Sequence, residues 1–446
     1  MATAYTPTAL FWGMTALLLF LVSFVNIEFG LYVLILSMLL SPEFGAGATQ
    51  GGTLGRGVTL RYEDFLLVII GASWFAKNAV HKELGLFLRT PLNRGIFLYA
   101  VACVLSTGFG IMTGRVSPGT GSLFVLKYFE YFIIYFMMVN HVESASQVKR
   151  FVFLLFFTCF VVSILGIMQI PEGGRVSAPF EGEAGEPNTF GGYLAFMAMI
   201  AAGVFTQVRD LKIRQALAVL LVFIIPPLLF TQSRASYLAV VVSVLALGFM
   251  MEKRAIIVGV MIVGLLLSPL FMPRAVIDRV LYTIKQPLSR GQISVAGVRL
   301  DTSTSARLVS WQQALTDWTR KPFFGYGVTG YKFMDAQFPR VLTETGILGL
   351  AAFLYLLFSV WKMAVNNLRV LTTPYYRGLT IGFIAGFVGL IVHSVGANTF
   401  IIVRIMEPFW FFAGIIFVLP QLEKAELLAQ ASAPVATSAA PIPMRR

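Results

Sequence analysis

Long apolar runs recur along the chain, and short polar connections rich in lysine and arginine separate them. A helix needs about 20 predominantly apolar residues to cross a bilayer, and backbone inside lipid must be helical or closed into a barrel. These runs lack the period-2 alternation of strands, so they predict membrane-spanning helices. The predicted spans cover residues 9–25, 28–41, 62–78, 95–113, 122–140, 150–169, 188–208, 214–231, 235–251, 255–272, 340–361, 378–398 and 402–420.

The predicted fold class is therefore all-α, a polytopic transmembrane helical bundle of 12 or 13 spans. Residues 9–41 form either a hairpin around Asn26 and Glu28, which gives 13 spans, or one broken helix, which gives 12. The membrane domain is expected to cover residues 1–420. The tail 421–446, rich in Ala, Pro and Ser, is expected to be disordered in the cytoplasm. Composition agrees, because 12% charged residues is about half of the ~25% found in soluble domains.

The net charge of +13 follows the predicted topology. Basic clusters recur after every second span and mark the cytoplasmic connections by the positive-inside rule. They lie at residues 77–94, 149–150, 209–214, 253–254, 362–377 and 424–446. The basic balance is thus explained by topology, and no nucleic-acid partner is expected.

The connection 273–339 lies on the opposite, outer side in this topology, yet its basic residues outnumber its acidic ones. Loops longer than about 60 residues escape the positive-inside rule, so the excess is permitted, and an anionic ligand would explain it. N-cap residue types at 303–305 precede an apolar stripe at helical spacing. The stripe consists of Leu308, Trp311, Leu315 and Trp318. We therefore expect this long loop to be structured, with a helix over 305–319 above the outer mouth of the bundle.

Three arginines lie on the same outer side, Arg175, Arg234 and Arg307. The predicted spans that begin near 188, 235 and 340 direct their helix N-termini to that side, where free N–H groups favour anions. A guanidinium binds phosphate oxygens bidentately. Each arginine also has a structural alternative: Arg234 snorkelling to headgroups, Arg307 on a solvated helix face, and Arg175 in a salt bridge with nearby glutamates.

Other membrane-depth charges have a structural interpretation at this stage. Lys127 with Glu130, and Arg404 with Glu407, stand three residues apart and predict ion pairs within one helix. His393 is interpreted as a histidine of the bundle interior. The cysteine and histidine spacings match no metal motif, and no Gly-rich phosphate loop with Lys-Ser/Thr occurs. We therefore expect neither a metal nor a cofactor.

Four segments carry a resemblance to a known family. They read RVSAPFEGEAGEPNTFGGYL from residue 175, TQSRASYLAV from 231, SARLVSWQQALTDWTRKPFFGYGVTGY from 305 and VLTETGILGL from 341. Together they resemble the bacterial O-antigen ligase/O-antigen polymerase superfamily. The resemblance implies a metal-independent glycosyltransferase that moves a glycan from an undecaprenyl-diphosphate carrier to an acceptor, on the periplasmic face of the inner membrane.

The same resemblance implies roles for individual residues. Arg234 in its Ser-Arg motif and Arg307 in its Arg-x-x-x-Trp motif, which ends at Trp311, would bind the carrier diphosphate. Arg175 could contribute a third contact. The implied partners are a lipid-linked glycan donor, a glycan acceptor, the bilayer and a chain-length regulator.

One departure from the family pattern bears on the reaction. O-antigen ligases usually carry a histidine in the long loop ahead of the Glu-x-Gly motif, whereas this chain has none between His141 and His393. Asp335 stands near that place. The departure favours a polymerase of O-antigen or exopolysaccharide repeats, with Asp335 as the expected catalytic base and Glu186 and Glu344 as alternatives.

Two other functions stay open from the sequence. One is an O-antigen ligase that acts on lipid A-core. The other is a small-anion transporter, for bicarbonate or a similar ion, with the arginines along its path. A transporter often shows inverted repeats, and the sequence has no convincing internal repeat, so the enzyme is favoured.

Arg234→Lys is expected to impair glycan transfer almost as severely as Arg234→Ala. Lysine keeps the charge but loses the rigid fork that binds two phosphate oxygens. A charge-assisted contact is worth about 1.5–3 kcal/mol, or about ten- to hundred-fold in rate. The measurement is polymer length in a membrane extract, normalised to the amount of folded protein. Wild-type polymer from the lysine variant would instead support snorkelling.

Overall fold

The computed structural model of the chain describes residues 7–44, 60–81, 89–180, 185–251, 254–267, 273–287, 291–295 and 298–432. The described residues form fifteen α-helices and two short antiparallel hairpins. The helices are α1 Pro7–Val25, α2 Ile27–Leu40, α3 Tyr62–His81, α4 Asn93–Met112, α5 Pro118–His141, α6 Ala145–Gln169, α7 Pro187–Gln207, α8 Leu211–Phe230, α9 Arg234–Phe249, α10 Arg254–Leu267, α11 Arg274–Lys285, α12 Thr302–Trp318, α13 Gln337–Val370, α14 Pro374–Gly396 and α15 Val403–Ser432. The hairpins pair β1 Glu43–Phe44 with β2 Leu60–Arg61, and β3 Ser294–Val295 with β4 Val298–Arg299.

The all-α membrane fold predicted from the sequence is confirmed. Each predicted span coincides with a helix, α1 to α10 and α13 to α15. Eight described helices are long and apolar enough to cross a membrane, namely α4 to α8 and α13 to α15. The first two helices are separate and pack against each other. The Asn26 side chain caps α2 by accepting a hydrogen bond from the Glu28 amide at 3.0 Å, which matches the hairpin alternative.

The centre of the bundle is α14, which packs most extensively on α7 and α9. Small residues let the backbones of α7 and α14 approach closely, as is common between membrane helices. A Cβ atom on Gly203 would lie 2.5 Å from the Gly378 carbonyl oxygen and 2.5 Å from the Gly382 Cα. Side chains larger than hydrogen at these positions would push the two helices apart.

The long loop 273–339 is structured over its described residues, with α11, the β3–β4 hairpin and α12. The predicted helix exists, but it begins at Thr302 and is capped by Asp301, not by the serines and threonine at 303–305. Asp301 is the cap because its side chain accepts a hydrogen bond from the Thr304 amide at 3.2 Å. The prediction of the apolar stripe is also partly wrong. Leu315 is 52% exposed, and the small Ala314 is buried in its place.

Helix α13 is bent where the segment 322–327 docks onto it. Gly346 has φ of 68° inside the helix, a left-handed value that favours glycine. The bend exposes carbonyls that the segment uses: the Tyr326 amide donates to Thr343 O at 2.9 Å and the Gly327 amide to Glu344 O at 2.8 Å. The Glu-x-Gly motif therefore forms a docking point for the end of the long loop.

The ion pair predicted between Lys127 and Glu130 is wrong, because Lys127 pairs with a residue of another helix. Lys127 on α5 pairs with Asp64 on α3 at 3.0 Å. Arg404 on α15 is fully buried and donates to the carbonyl oxygens of Pro179 at 3.0 Å and Ser41 at 3.2 Å. Burial of a charge is tolerated only when it is paired and hydrogen-bonded, and the best partners lie on neighbouring elements.

The predicted disordered tail is only partly addressed by the structure. Residues 421–432 continue α15, where Glu423 accepts hydrogen bonds from the amide and hydroxyl of Thr372, each at 3.0 Å. This part of the prediction is wrong, because the contact holds the helix end against the 371–373 turn. Residues 433–446 lie outside the described residues.

Gly346→Ala is expected to destabilise the fold by more than about 2 kcal/mol, since a positive φ alone costs an L-residue about 1–2 kcal/mol. The added Cβ would also lie 2.1 Å from the Phe323 carbonyl oxygen. The matched control is Gly108→Ala on α4, where a Cβ has no neighbour within 4 Å. Thermal unfolding in detergent measures both, and equal melting temperatures would contradict the prediction.

Candidate anion-binding site

Arg234 occupies the first position of α9, directly after a tight turn. The Ser233 side chain caps the helix by accepting the Ser236 amide at 3.3 Å, and Gln232 takes φ of 49° to complete the turn. The Arg234 Nη2 lies 2.8 Å from Asp301 Oδ2. The sequence showed no acid beside Arg234, because its partner comes from the distant long loop.

Asp301 joins the N-terminus of α9 to the N-terminus of α12. Its side chain is 2% exposed, pairs with Arg234 and caps α12 through the Thr304 amide. Burial alone would raise the pKa of Asp301, but the hydrogen bonds from Arg234 and Thr304 lower it below its usual value. A charged Asp301 therefore fixes α12 over the end of the bundle where α9 begins.

Arg175 binds the same turn from the other side. Its Nε donates to Thr231 O at 2.9 Å and its Nη2 to Gln232 O at 3.4 Å. These hydrogen bonds to backbone carbonyls hold its guanidinium. The salt-bridge alternative involves Glu181 and Glu183, which lie outside the described residues. Burial lowers the pKa of Arg175, and the positive charges of Arg279, Arg234 and Arg307 lower it further.

Arg307 on α12 lies near Arg175, Arg234 and Arg279. Burial lowers its pKa, Asp335 and Asp301 oppose the shift, and the charges of Arg234 and Arg279 add to it. Arg307 donates no hydrogen bond to any described residue, so its donors are available to a ligand. The structure thus brings Arg175, Arg234 and Arg307 together, as the sequence predicted.

Arg279 on α11 is a member of the group that the sequence analysis missed. Its Nε is buried and donates no hydrogen bond within the described part of the chain. The sequence signal was weak, because Arg279 lies in a helix with several exposed charges, RAVIDRVLYTIK. Only its position one turn after the buried Val276 distinguishes it from Arg274, which is exposed.

Two further predicted residues lie beside the arginines. Asp335 is close enough to oppose the pKa shift of Arg307. Trp311 follows Arg307 by one helical turn and packs with Ala314, Met334 and Tyr331. Its indole Nε1 is buried without a hydrogen-bond partner among the described residues, so a polar ligand atom could accept from it.

The two alternative bases occupy different surroundings. Glu344 is buried in α13, where its Oε1 accepts from Arg340 Nε at 3.1 Å and from the Thr329 amide at 3.2 Å. These contacts assign Glu344 to holding the loop segment. Glu186 lies at the N-terminus of α7 and accepts from the Thr189 hydroxyl at 3.1 Å.

We define the arginine cluster as Arg175, Arg234, Arg279 and Arg307, with Asp301 and Asp335 beside it. Cations outnumber carboxylates in this described group, and burial strengthens every charge interaction. Three α-helices, α7, α9 and α13, also begin at this end of the bundle, where their N-terminal amides favour negative charge. The arrangement is built to bind an anion that carries more than one negative charge.

Comparison with known proteins agrees with the sequence resemblance. Residues 216–354 match the family model described as O-Antigen ligase. The matched region contains α9, the long loop and the Glu-x-Gly motif, and three of the four clustered arginines. No curated protein matches the chain significantly. The match confirms the resemblance to the O-antigen ligase/polymerase superfamily and supports a multi-pass membrane protein with glycosyl-transferring activity.

Asp301→Asn is expected to weaken the binding of inorganic pyrophosphate several-fold at low salt. Asparagine caps a helix as well as aspartate, so α12 keeps its cap while Arg234 loses the carboxylate that orients it. Isothermal titration of the purified protein measures the affinity. Asp278→Asn, an exposed acid on α11, is the control and should bind as wild type. Tighter binding by Asp301→Asn would show that the carboxylate competes with the ligand for Arg234 and does not build the site.

Proposed function

We propose that the chain is a glycosyltransferase that polymerises undecaprenyl-diphosphate-linked glycan repeats on the periplasmic face of the bacterial inner membrane. The observation that carries the proposal is the arginine cluster. Within the described part of the chain, Arg307 and the Arg279 Nε donate no hydrogen bond, while Arg175 and Arg234 are fixed by the protein. A diphosphate supplies two adjacent anionic groups, which suits a cluster of several guanidinium groups.

The division between fixed and available arginines supports a clamp for the leaving group. Arg234 is oriented by Asp301, and Arg175 by the carbonyls of the turn. In glycan transfer the bond between the sugar C1 and the phosphate oxygen breaks, and negative charge grows on that oxygen. Preorganised cations at this point stabilise the transition state more than the ground state.

The acceptor hydroxyl must lose a proton as its oxygen bonds to C1. Asp335 is the proposed base, since it lies beside Arg307 at the N-terminus of α13. The proton passes to the Asp335 carboxylate, while the lipid diphosphate leaves with its charge held by the arginines. Trp311 would bind the substrate through its indole N–H next to Arg307. No metal or cofactor enters this scheme.

We favour a polymerase over a ligase because of the residue type in the long loop ahead of the Glu-x-Gly motif. Ligases usually carry a histidine in this part of the loop, and this chain carries Asp335. The ligase that acts on lipid A-core is the second candidate. A chain-length regulator as partner belongs to the polymerase proposal.

Arg279→Ala is expected to lower kcat/KM by about ten- to hundred-fold, the effect of losing one charge-assisted contact worth about 1.5–3 kcal/mol. Arg274→Ala removes an exposed arginine from the same helix and should leave the rate unchanged. Asp335→Asn should lower kcat while pyrophosphate affinity stays near the wild-type value. An unchanged rate for Arg279→Ala would count against the clamp.

Reconstitution separates the two reactions. Purified protein in liposomes with lipid-linked repeats alone should give a ladder of polymer on a gel. The same vesicles with lipid A-core added should give no glycosylated lipid A-core. Transfer to lipid A-core without any ladder would show that the chain is a ligase.

A further inference from the structure

A chain of buried hydrogen bonds runs from α14 to the helix end that carries Arg234. His393 on α14 is fully buried. Its Nδ1 lies 2.8 Å from the Thr399 hydroxyl, and its Nε2 lies 3.2 Å from the Ser236 hydroxyl. Ser236 in turn donates to the Ser233 hydroxyl at 2.8 Å. Ser233 is the N-cap of α9, so the chain ends one residue before Arg234.

The directions of these bonds fit a neutral imidazole protonated on Nε2. Because the Ser236 hydroxyl donates its proton to Ser233, it can accept a hydrogen bond from His393 Nε2, and the backbone of Asn188 on α7 is a further hydrogen-bond partner of the ring. Nδ1 is then the acceptor for the Thr399 hydroxyl in a neutral ring. The carboxyl-terminal part of α14 is thereby linked by successive donors to the N-terminus of α9.

The neighbouring helix α7 leaves space for this series of hydrogen bonds. A Cβ atom on Gly191 would lie 2.3 Å from the Ser236 hydroxyl oxygen, and one on Gly192 would lie 3.0 Å from His393 Cε1. Two successive glycines therefore leave room for the histidine and serine at the same level of the bundle. Any larger residue at either position would displace a member of the chain.

We infer that His393 is a positioning residue, which orients Arg234 toward the lipid diphosphate through Ser236 and Ser233. This inference rests on the proposed function. His393 does not touch substrate, because it has no exposed surface and both ring nitrogens are occupied. The turn at 231–233 includes a residue with positive φ, so it needs such support. Arg175 supports the turn from the loop, and His393 supports it from inside the bundle.

Ser236→Ala is the sharpest test, since it removes the hydroxyl between His393 and Ser233 and leaves the histidine in place. It should weaken the binding of inorganic pyrophosphate and of undecaprenyl diphosphate in nanodiscs by roughly ten-fold, the cost of one buried bond. His393→Phe should do the same, and the double variant should lose no more, because both changes cut one chain. His393→Gln, which keeps an N–H donor, should recover part of the affinity.

Ser243→Ala is the matched control, a buried serine two turns further along α9. It should bind as wild type. Thermal unfolding accompanies each variant, and if His393→Phe does not fold, Ser236→Ala carries the test alone. Folded Ser236→Ala with wild-type affinity would overturn the inference. The proposed function is tested separately by Arg234→Ala: if that variant also binds normally, the clamp itself is wrong.

Discussion

The ion pair between Arg234 and Asp301 is the contact on which the arrangement of the site depends. It joins the first residue of α9, inside the bundle, to the cap of α12, which belongs to the long loop. Because Asp301 both caps α12 and pairs with Arg234, it fixes the orientation of the helix and of the arginine together. Arg307 and Trp311 then project from α12 toward the same end of the bundle as Arg175 and Arg279.

Among the described residues, the site carries more positive charge than negative charge. Asp301 and Asp335 offset part of the charge of four arginines, and burial, together with repulsion between the arginines, lowers the pKa of Arg175 and of Arg307. Such repulsion costs stability in the empty protein. A bound diphosphate would relieve it, which couples the energy of ligand binding to the packing of the loop on the bundle.

The long loop is held to the bundle at two separate places, and the two places have different chemistry. Near α9 the contact is ionic and contains the arginine cluster. At the bend of α13 the contact is made by backbone amides that bind carbonyls exposed by Gly346. The second contact contains the buried pair Arg340–Glu344. A motif glutamate can thus be structural even when its neighbours in sequence suggest catalysis.

The sequence by itself determined the helical bundle, the thirteen apolar segments and the placement of Arg175, Arg234 and Arg307 at one end of the bundle, because hydrophobic runs and helix direction are local properties of the chain. It did not reveal Asp301 as the partner of Arg234, Arg279 as a cluster member, or the link from His393 to Ser233. It also paired Lys127 with Glu130 on its own helix, whereas its partner is Asp64 on α3. These contacts were decided by the tertiary structure alone, since a buried charge or donor takes the best partner that packing brings near, and that partner lies far away along the chain.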